Sequence, residues 1–153
     1  MINKKSLFAK LFLTLNLFFL VNGNAVFAEE NSSDTVGTPK NWTTPRVQLS
    51  AAGLFRVSIR SNLNPLVVNR IHSWTVHLET PDGKAVEEAN ILVSGGMPAH
   101  KHGFPTTPRI TGYSGSGNYL LEGVKFSMPG PWVMHLKITA SGKSDSIKFD
   151  ITL

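Results

Sequence analysis

The sequence predicts an all-β protein, a sandwich of about seven short strands behind an N-terminal secretory leader. Three observations carry that expectation. Apolar and polar residues alternate at period two in several separate stretches, turn residues recur at close intervals, and no stretch has the spacing of an amphipathic helix.

The leader comes first in the chain and is not expected to be part of the fold. Lys4, Lys5 and Lys10 make a positive start, Leu11 to Val21 is an apolar run interrupted by Thr14 and Asn16, and Val26-Phe27-Ala28 ends on the small residue that signal peptidases require. That run is well short of the roughly 20 residues of a membrane-spanning helix, so residues 1–28 are expected to be a cleaved signal peptide, with no stable membrane insertion afterwards. Residues 29–41 are polar and aperiodic, which predicts a flexible tether. The folded domain is expected over residues 42–153.

Within the domain, Leu54 to Arg60 places Phe55, Val57 and Ile59 on one face, and His72 to Glu79 does the same with Trp74, Val76 and Leu78. Thr80-Pro81-Asp82-Gly83 then supplies a turn, since proline fixes one dihedral and glycine accepts a positive one. Asn90 to Ser94 offers a strand that is expected to end at Gly95-Gly96. Arg109 to Tyr113 and Tyr119 to Phe126 follow, separated by a glycine-rich turn. Trp132 to Thr139 alternates again, with Trp132, Met134, Leu136 and Ile138 inward, and Ile147, Phe149 and Ile151 face the core from the last strand. Trp74 and Trp132 each head an inward row, so both are expected between the sheets.

Composition removes several function classes. The chain of 153 residues has no cysteine, which excludes disulfides, thiolate metal sites and a cysteine nucleophile. A secreted domain without disulfides fits a bacterial periplasm best, so the protein is expected to be periplasmic or secreted. The formal charge of +5 falls to about +2 once the three leader lysines are removed. No basic run with interleaved aromatics remains, and no nucleic-acid partner is expected.

The chemistry concentrates in one connection, Gly95 to Pro108, which reads Gly-Gly-Met-Pro-Ala-His-Lys-His-Gly-Phe-Pro-Thr-Thr-Pro. In an extended segment residues i and i+2 point the same way, so His100 and His102 can reach one ion while Met97 curls back across Pro98. No Asp or Glu occurs from Asn90 through Leu121, which disfavours calcium and magnesium. Imidazole with thioether and no carboxylate favours copper, with zinc behind it. Met128, in the turn before Trp132, is the distant residue expected to complete the set. The plain alternatives stand beside this reading: loop histidines are commonly just solvated, Met97 can be an apolar plug, and His72, His77 and His135 read as surface or satisfied histidines.

These residues also carry a family resemblance. Gly96-Met97-Pro98-x-His100-x-His102-Gly103, then Pro105-x-x-Pro108, then Tyr119-Leu120-Leu121-Glu122-Gly123-Val124-x-Phe126-x-Met128-x-Gly130-x-Trp132, resemble the YtkA-like domain, related to the periplasmic part of FixH proteins. The resemblance spans roughly Val47 to Leu153 and implies an immunoglobulin-like β-sandwich. FixH proteins are tied to assembly of copper-containing respiratory oxidases, and this chain differs from them in lacking a strong transmembrane anchor.

The function expected from the sequence is copper binding through Met97, His100, His102 and Met128, for delivery to an envelope protein partner. The alternative is a metal-free interaction module in which Phe104 and Trp132 form a docking surface. No enzyme is expected, because nucleophile chemistry needs a base oriented by a third group and no acid lies near the paired histidines in sequence. Glu122 and Asp150 are the acids that folding could bring close. A copper monooxygenase would want histidine at the mature amino terminus, where Glu29 stands.

Overall fold

Two antiparallel sheets face each other in the computed structural model, which describes residues 41–153. The expected signal peptide and all but Asn41 of the expected tether lie outside the described residues. In chain order the strands are β1 (Arg46–Leu49), β2 (Arg56–Ser61), β3 (His72–Glu79), β4 (Asn90–Met97), β5 (His102–Gly103), β6 (Arg109–Tyr113), β7 (Asn118–Val124), β8 (Pro131–Ala140) and β9 (Lys143–Thr152). One sheet has the order β1-β2-β3-β7-β6 and the other β5-β4-β8-β9.

Setting β1 and β5 aside leaves β2-β3-β7-β6 against β4-β8-β9, which is the four-on-three arrangement of an immunoglobulin constant-type sandwich. In antibody domains the strands equivalent to β3 and β8 are tied by a disulfide across the core. Here, without cysteine, they carry Trp74 and Trp132, which are 0% and 1% exposed. Each anchors its own aromatic cluster, Trp74 with Trp42 and His72, and Trp132 with His102, Phe104 and Phe126.

The core follows the period-two pattern. His72, Trp74, Val76 and Leu78 of β3 are buried while their neighbours are not, and β8 buries Trp132, Met134, Leu136, Ile138 and Ala140 in the same rhythm. Val57 and Ile59 of β2 and Ile147, Phe149 and Ile151 of β9 complete the two inner faces. Each such side chain contributes about 1.5–3 kcal/mol on burial, so the alternating rows, more than any loop, hold the sandwich closed.

The structure departs from the sequence expectation in three places. There are nine strands among the described residues where about seven were expected; the extra ones are β1, all four residues of which are exposed, and the two-residue β5. Neither buries an alternating row, so neither has a periodic signal to read. The second departure is that β4 does not stop at Gly95-Gly96 but runs on to Met97, because Gly95 and Gly96 pair with Met134 and Val133 of β8 on one side while Gly96 and Met97 pair with β5 on the other. Gly96 is what permits the second pairing: a Cβ there would overlap the His102 carbonyl oxygen and crowd the Gly103 Cα. The third is at the end of β7, which stops at Val124 after Gly123 takes a positive φ of 81°, although Phe126 beyond it is fully buried.

Candidate metal centre at one end of the sandwich

The start of β3, the ends of β4 and β7, the whole of β5 and the start of β8 meet at one end of the sandwich, as the antiparallel pairings require. His72 pairs with Val124, Gly96 with Val133, and Met97 with His102. All four residues expected to bind metal, Met97, His100, His102 and Met128, belong to segments at this end.

Met97 and His102 are direct cross-strand partners, so their side chains leave the sheet on the same face. That face is the inner one, since Met97 is 2% exposed and packs in the hydrophobic core. Continuing the β4–β8 register by one residue sets Met97 beside Trp132, and the His102 ring meets the Trp132 ring edge to face with centroids 5.4 Å apart. Trp132, Met97 and His102 therefore form one row across β8, β4 and β5. On the other side of Met97, a Cβ on Gly130 would stand 2.6 Å from the Met97 methyl carbon, so the thioether lies along the turn that follows Met128.

His100 reaches the same place by a different route from the one its spacing suggested. Pro98–His100 is a 3-10 turn, closed by Lys101 in the left-handed conformation with φ of 55°. The segment is not extended, and the i, i+2 alternation does not apply to it. The turn nevertheless brings the His100 and His102 rings together, with centroids 6.0 Å apart. Two imidazoles bonded to one ion at about 2 Å from each nitrogen have centroids about 5 to 6.5 Å apart, so the pair stands at ligating separation. His100 is exposed, whereas His102 is half-buried.

The tautomer of His102 follows from its partner. Its Nδ1 is 3.0 Å from the Gly103 carbonyl oxygen, which can only accept, so Nδ1 carries the hydrogen. In the neutral ring the lone pair is then on Nε2, which is buried and has no hydrogen-bond partner. A buried nitrogen acceptor without a partner is costly, and a ring N–H donated to a backbone carbonyl is the usual means of orienting a metal-binding histidine.

Met128 is half-buried against the core, and its carbonyl accepts the Trp132 indole N–H at 3.0 Å. Phe104 stacks on Trp132 at 5.7 Å with the rings 5° from parallel, and Phe126 meets both rings. This aromatic cluster backs the loop. An open depression of about 340 Å3 lies beside it, lined in part by Ser94, Gly96, Lys101, His102, Val133 and His135, with no carboxylate in the lining.

The remaining histidines behave differently from one another. His77 lies between Glu79 and Asn118, with Nε2 3.1 Å from the Glu79 carboxylate. His72 shares the inward row of Trp74 and is 9% exposed, its Nδ1 donating to the Arg70 carbonyl; its Nε2 is not satisfied, being buried without a partner. Burial holds its pKa below the usual histidine value, against a smaller opposing effect of the hydrogen bond to Arg70. Sequence spacing has no signal for this, because a histidine on an inward row looks the same whether its second nitrogen is paired or bare. Glu122 accepts a hydrogen bond from Thr111, and Asp150 pairs in register with Val133. Neither makes an ion pair or hydrogen bond with His100 or His102.

Among the described residues, no group of three or more His, Asp or Glu side chains is placed to hold a metal ion. A site at this end would need sulfur alongside the two imidazoles. Met97 and Met128 are the sulfur donors at hand.

A model of the YtkA-like family matches residues 50–137 of the chain, which include β2 through most of β8 and the whole of the Met-Pro-x-His-x-His stretch. No curated protein matches it. A solved structure of a DUF4426 family protein from Pseudomonas aeruginosa PAO1 is similar, with a TM-score of 0.53 and 20% sequence identity over 71% of this chain and 94% of that chain. That likeness speaks for the fold.

Proposed function

The chain belongs to the YtkA-like family, and from that premise we propose that it is a periplasmic or secreted copper-binding protein that holds its cargo at the loop end of the sandwich for delivery to an envelope protein partner. Met97, His100, His102 and Met128 are the ligands. The observation that carries the reading is the His102 ring, fixed by Gly103 with its Nε2 buried and bare, on the direct cross-strand partner of Met97. A donor set of imidazole and thioether without carboxylate suits copper: the sulfur favours Cu(I) and the nitrogens accept Cu(II). Export rests on the leader. Among the described residues no helix is long and apolar enough to cross a membrane.

The reading is of a binding protein and not an enzyme, since among the described residues no carboxylate bonds to the loop histidines to orient a base. The metal-free docking surface draws less support, because Trp132 is 1% exposed and Phe104 is stacked against it, leaving little aromatic surface to offer a partner. Titration of the purified protein with Cu(I) and Cu(II) under chelator competition, beside a His100→Ala/His102→Ala double variant, tests the proposal. Wild type is expected to hold copper at least about a hundredfold more tightly than the variant; equal affinities would end the copper reading.

A further inference from the structure

Taking the copper site as its starting point, we infer that, of its four ligands, Met97 and His102 act as a retaining pair and His100 as an exchange ligand, whose place a partner's donor atom takes during transfer of Cu(I). The two histidines of the motif look equivalent in the sequence, but the fold treats them in opposite ways. His102 is locked on three sides: its backbone is paired to Met97, its Nδ1 is held by the Gly103 carbonyl, and its ring rests against Trp132. Met97 is in the core and cannot leave without opening the end of β4. His100 has none of these restraints. It is exposed, it sits on a single 3-10 turn, and the only ring among those packed around it within 6.0 Å is that of His102.

The consequence is chemical as well as mechanical. A buried thioether and a neutral imidazole make a soft, uncharged pair that satisfies Cu(I), which accepts two or three ligands, better than Cu(II) or Zn(II), which demand more nitrogen or oxygen. His100 then closes the site from the solvent side. When a donor from a partner approaches, a new bond to Cu(I) forms as the bond to the His100 nitrogen breaks. The oxidation state is unchanged, and the retaining pair keeps hold until the partner supplies a second ligand. The approach is from the solvent side, where His100 is exposed.

Single variants separate the roles, with Cu(I) affinity measured by competition with bicinchoninate and the rate of Cu(I) removal measured with excess bathocuproine disulfonate. His102→Ala is expected to lower Cu(I) affinity about a hundredfold, and Met97→Leu, which preserves volume, about tenfold while leaving Zn(II) affinity unchanged. His100→Ala is expected to cost less than about tenfold in affinity but to speed chelator removal about tenfold or more, because the outer position is already open. Circular dichroism verifies that each variant is folded, and Met97→Leu keeps the test valid should His102→Ala disturb the loop. Equal affinity losses for the two histidine variants, or an unchanged removal rate in His100→Ala, overturn the division of roles while leaving copper binding intact. Absence of Cu(I) binding by wild type overturns both.

Discussion

The two ends of the sandwich are built on opposite principles. At the end away from the histidine loop, polar groups are saturated. The Asp145 carboxylate accepts hydrogen bonds from the Ser50 hydroxyl at 2.6 Å and from the backbone N–H groups of Ala52 at 3.0 Å and Leu54 at 3.3 Å. The Tyr119 hydroxyl accepts from the Ala89 N–H and donates to the Val86 carbonyl. At the loop end Trp132 Nε1 and His102 Nδ1 are paired, but other buried polar atoms are not. The four buried side-chain atoms without a partner among the described residues are Trp42 Nε1, His72 Nε2, Trp74 Nε1 and His102 Nε2. All belong to this half, for Trp42 bonds through its carbonyl to the end of β2 and Trp74 pairs with the last residue of that strand. The unpaired buried atoms are thus confined to the half that carries the histidine loop.

Substitutions at the two ends sharpen or break this contrast. The largest effect is expected from Trp132→Ala, which removes the ring that Phe104, Phe126 and His102 all lean on. It should cost about 3–5 kcal/mol in urea unfolding, and a loss below about 1 kcal/mol would mean that the aromatic cluster is not what supports the loop. Gly96→Ala comes next, at about 1–3 kcal/mol, because the new methyl forces β5 away from β4. Since that movement separates Met97 from His102, copper affinity should fall with it. Tyr119→Phe at the saturated end is expected to cost about 1 kcal/mol by leaving the Val86 carbonyl and Ala89 N–H unpaired, with copper binding untouched. A change in copper affinity in that variant would show that the ends are not independent.

The smallest effects are in pH dependence, where the two ends respond in different windows. The His72 ring is held below its exposed pKa of 6.5 by burial, so the unfolded chain takes up a proton first. Its contribution to stability is complete above about pH 6.5 and is lost as pH falls through the lowered value in the folded protein. Asp145 is also lowered, chiefly by the Ser50 hydroxyl, from 3.8. Its contribution is complete above that value and is lost only in stronger acid. Thermal melts from pH 7 to pH 5 should therefore show a fall that His72→Phe reduces and Asp145→Asn does not. The same fall in the His72→Phe protein would place the acid-sensitive group elsewhere.

How much of this was legible depended on whether a residue's role is written in periodicity or in pairing. The inward rows of β3, β8 and β9 could be read because each apolar side chain sits two residues from the next. The strands that lacked such rows, β1 and β5, could not. Met97, His100, His102 and Met128 were legible as a set of donor types, and the fold gathers their segments at one end. Their individual settings were not legible. That Met97 is a buried strand residue depends on Gly96 admitting β5, and that His100 and His102 meet depends on a 3-10 turn instead of an extended run. The bare nitrogens of His102 and His72 were hidden for the same reason. Each is produced by a carbonyl, of Gly103 or Arg70, that holds the other nitrogen of the ring.

The most direct test of the account is a long-range proton–nitrogen NMR spectrum of the histidine rings, recorded before and after one equivalent of Ag(I) as a diamagnetic stand-in for Cu(I). The expected result is His102 with its hydrogen on Nδ1, and a displacement of its Nε2 signal on metal addition that exceeds those of His77 and His135. A His102 ring protonated on Nε2, or one whose Nε2 signal stays in place while the others move, would contradict the claim that the loop end of this sandwich is built around a waiting nitrogen.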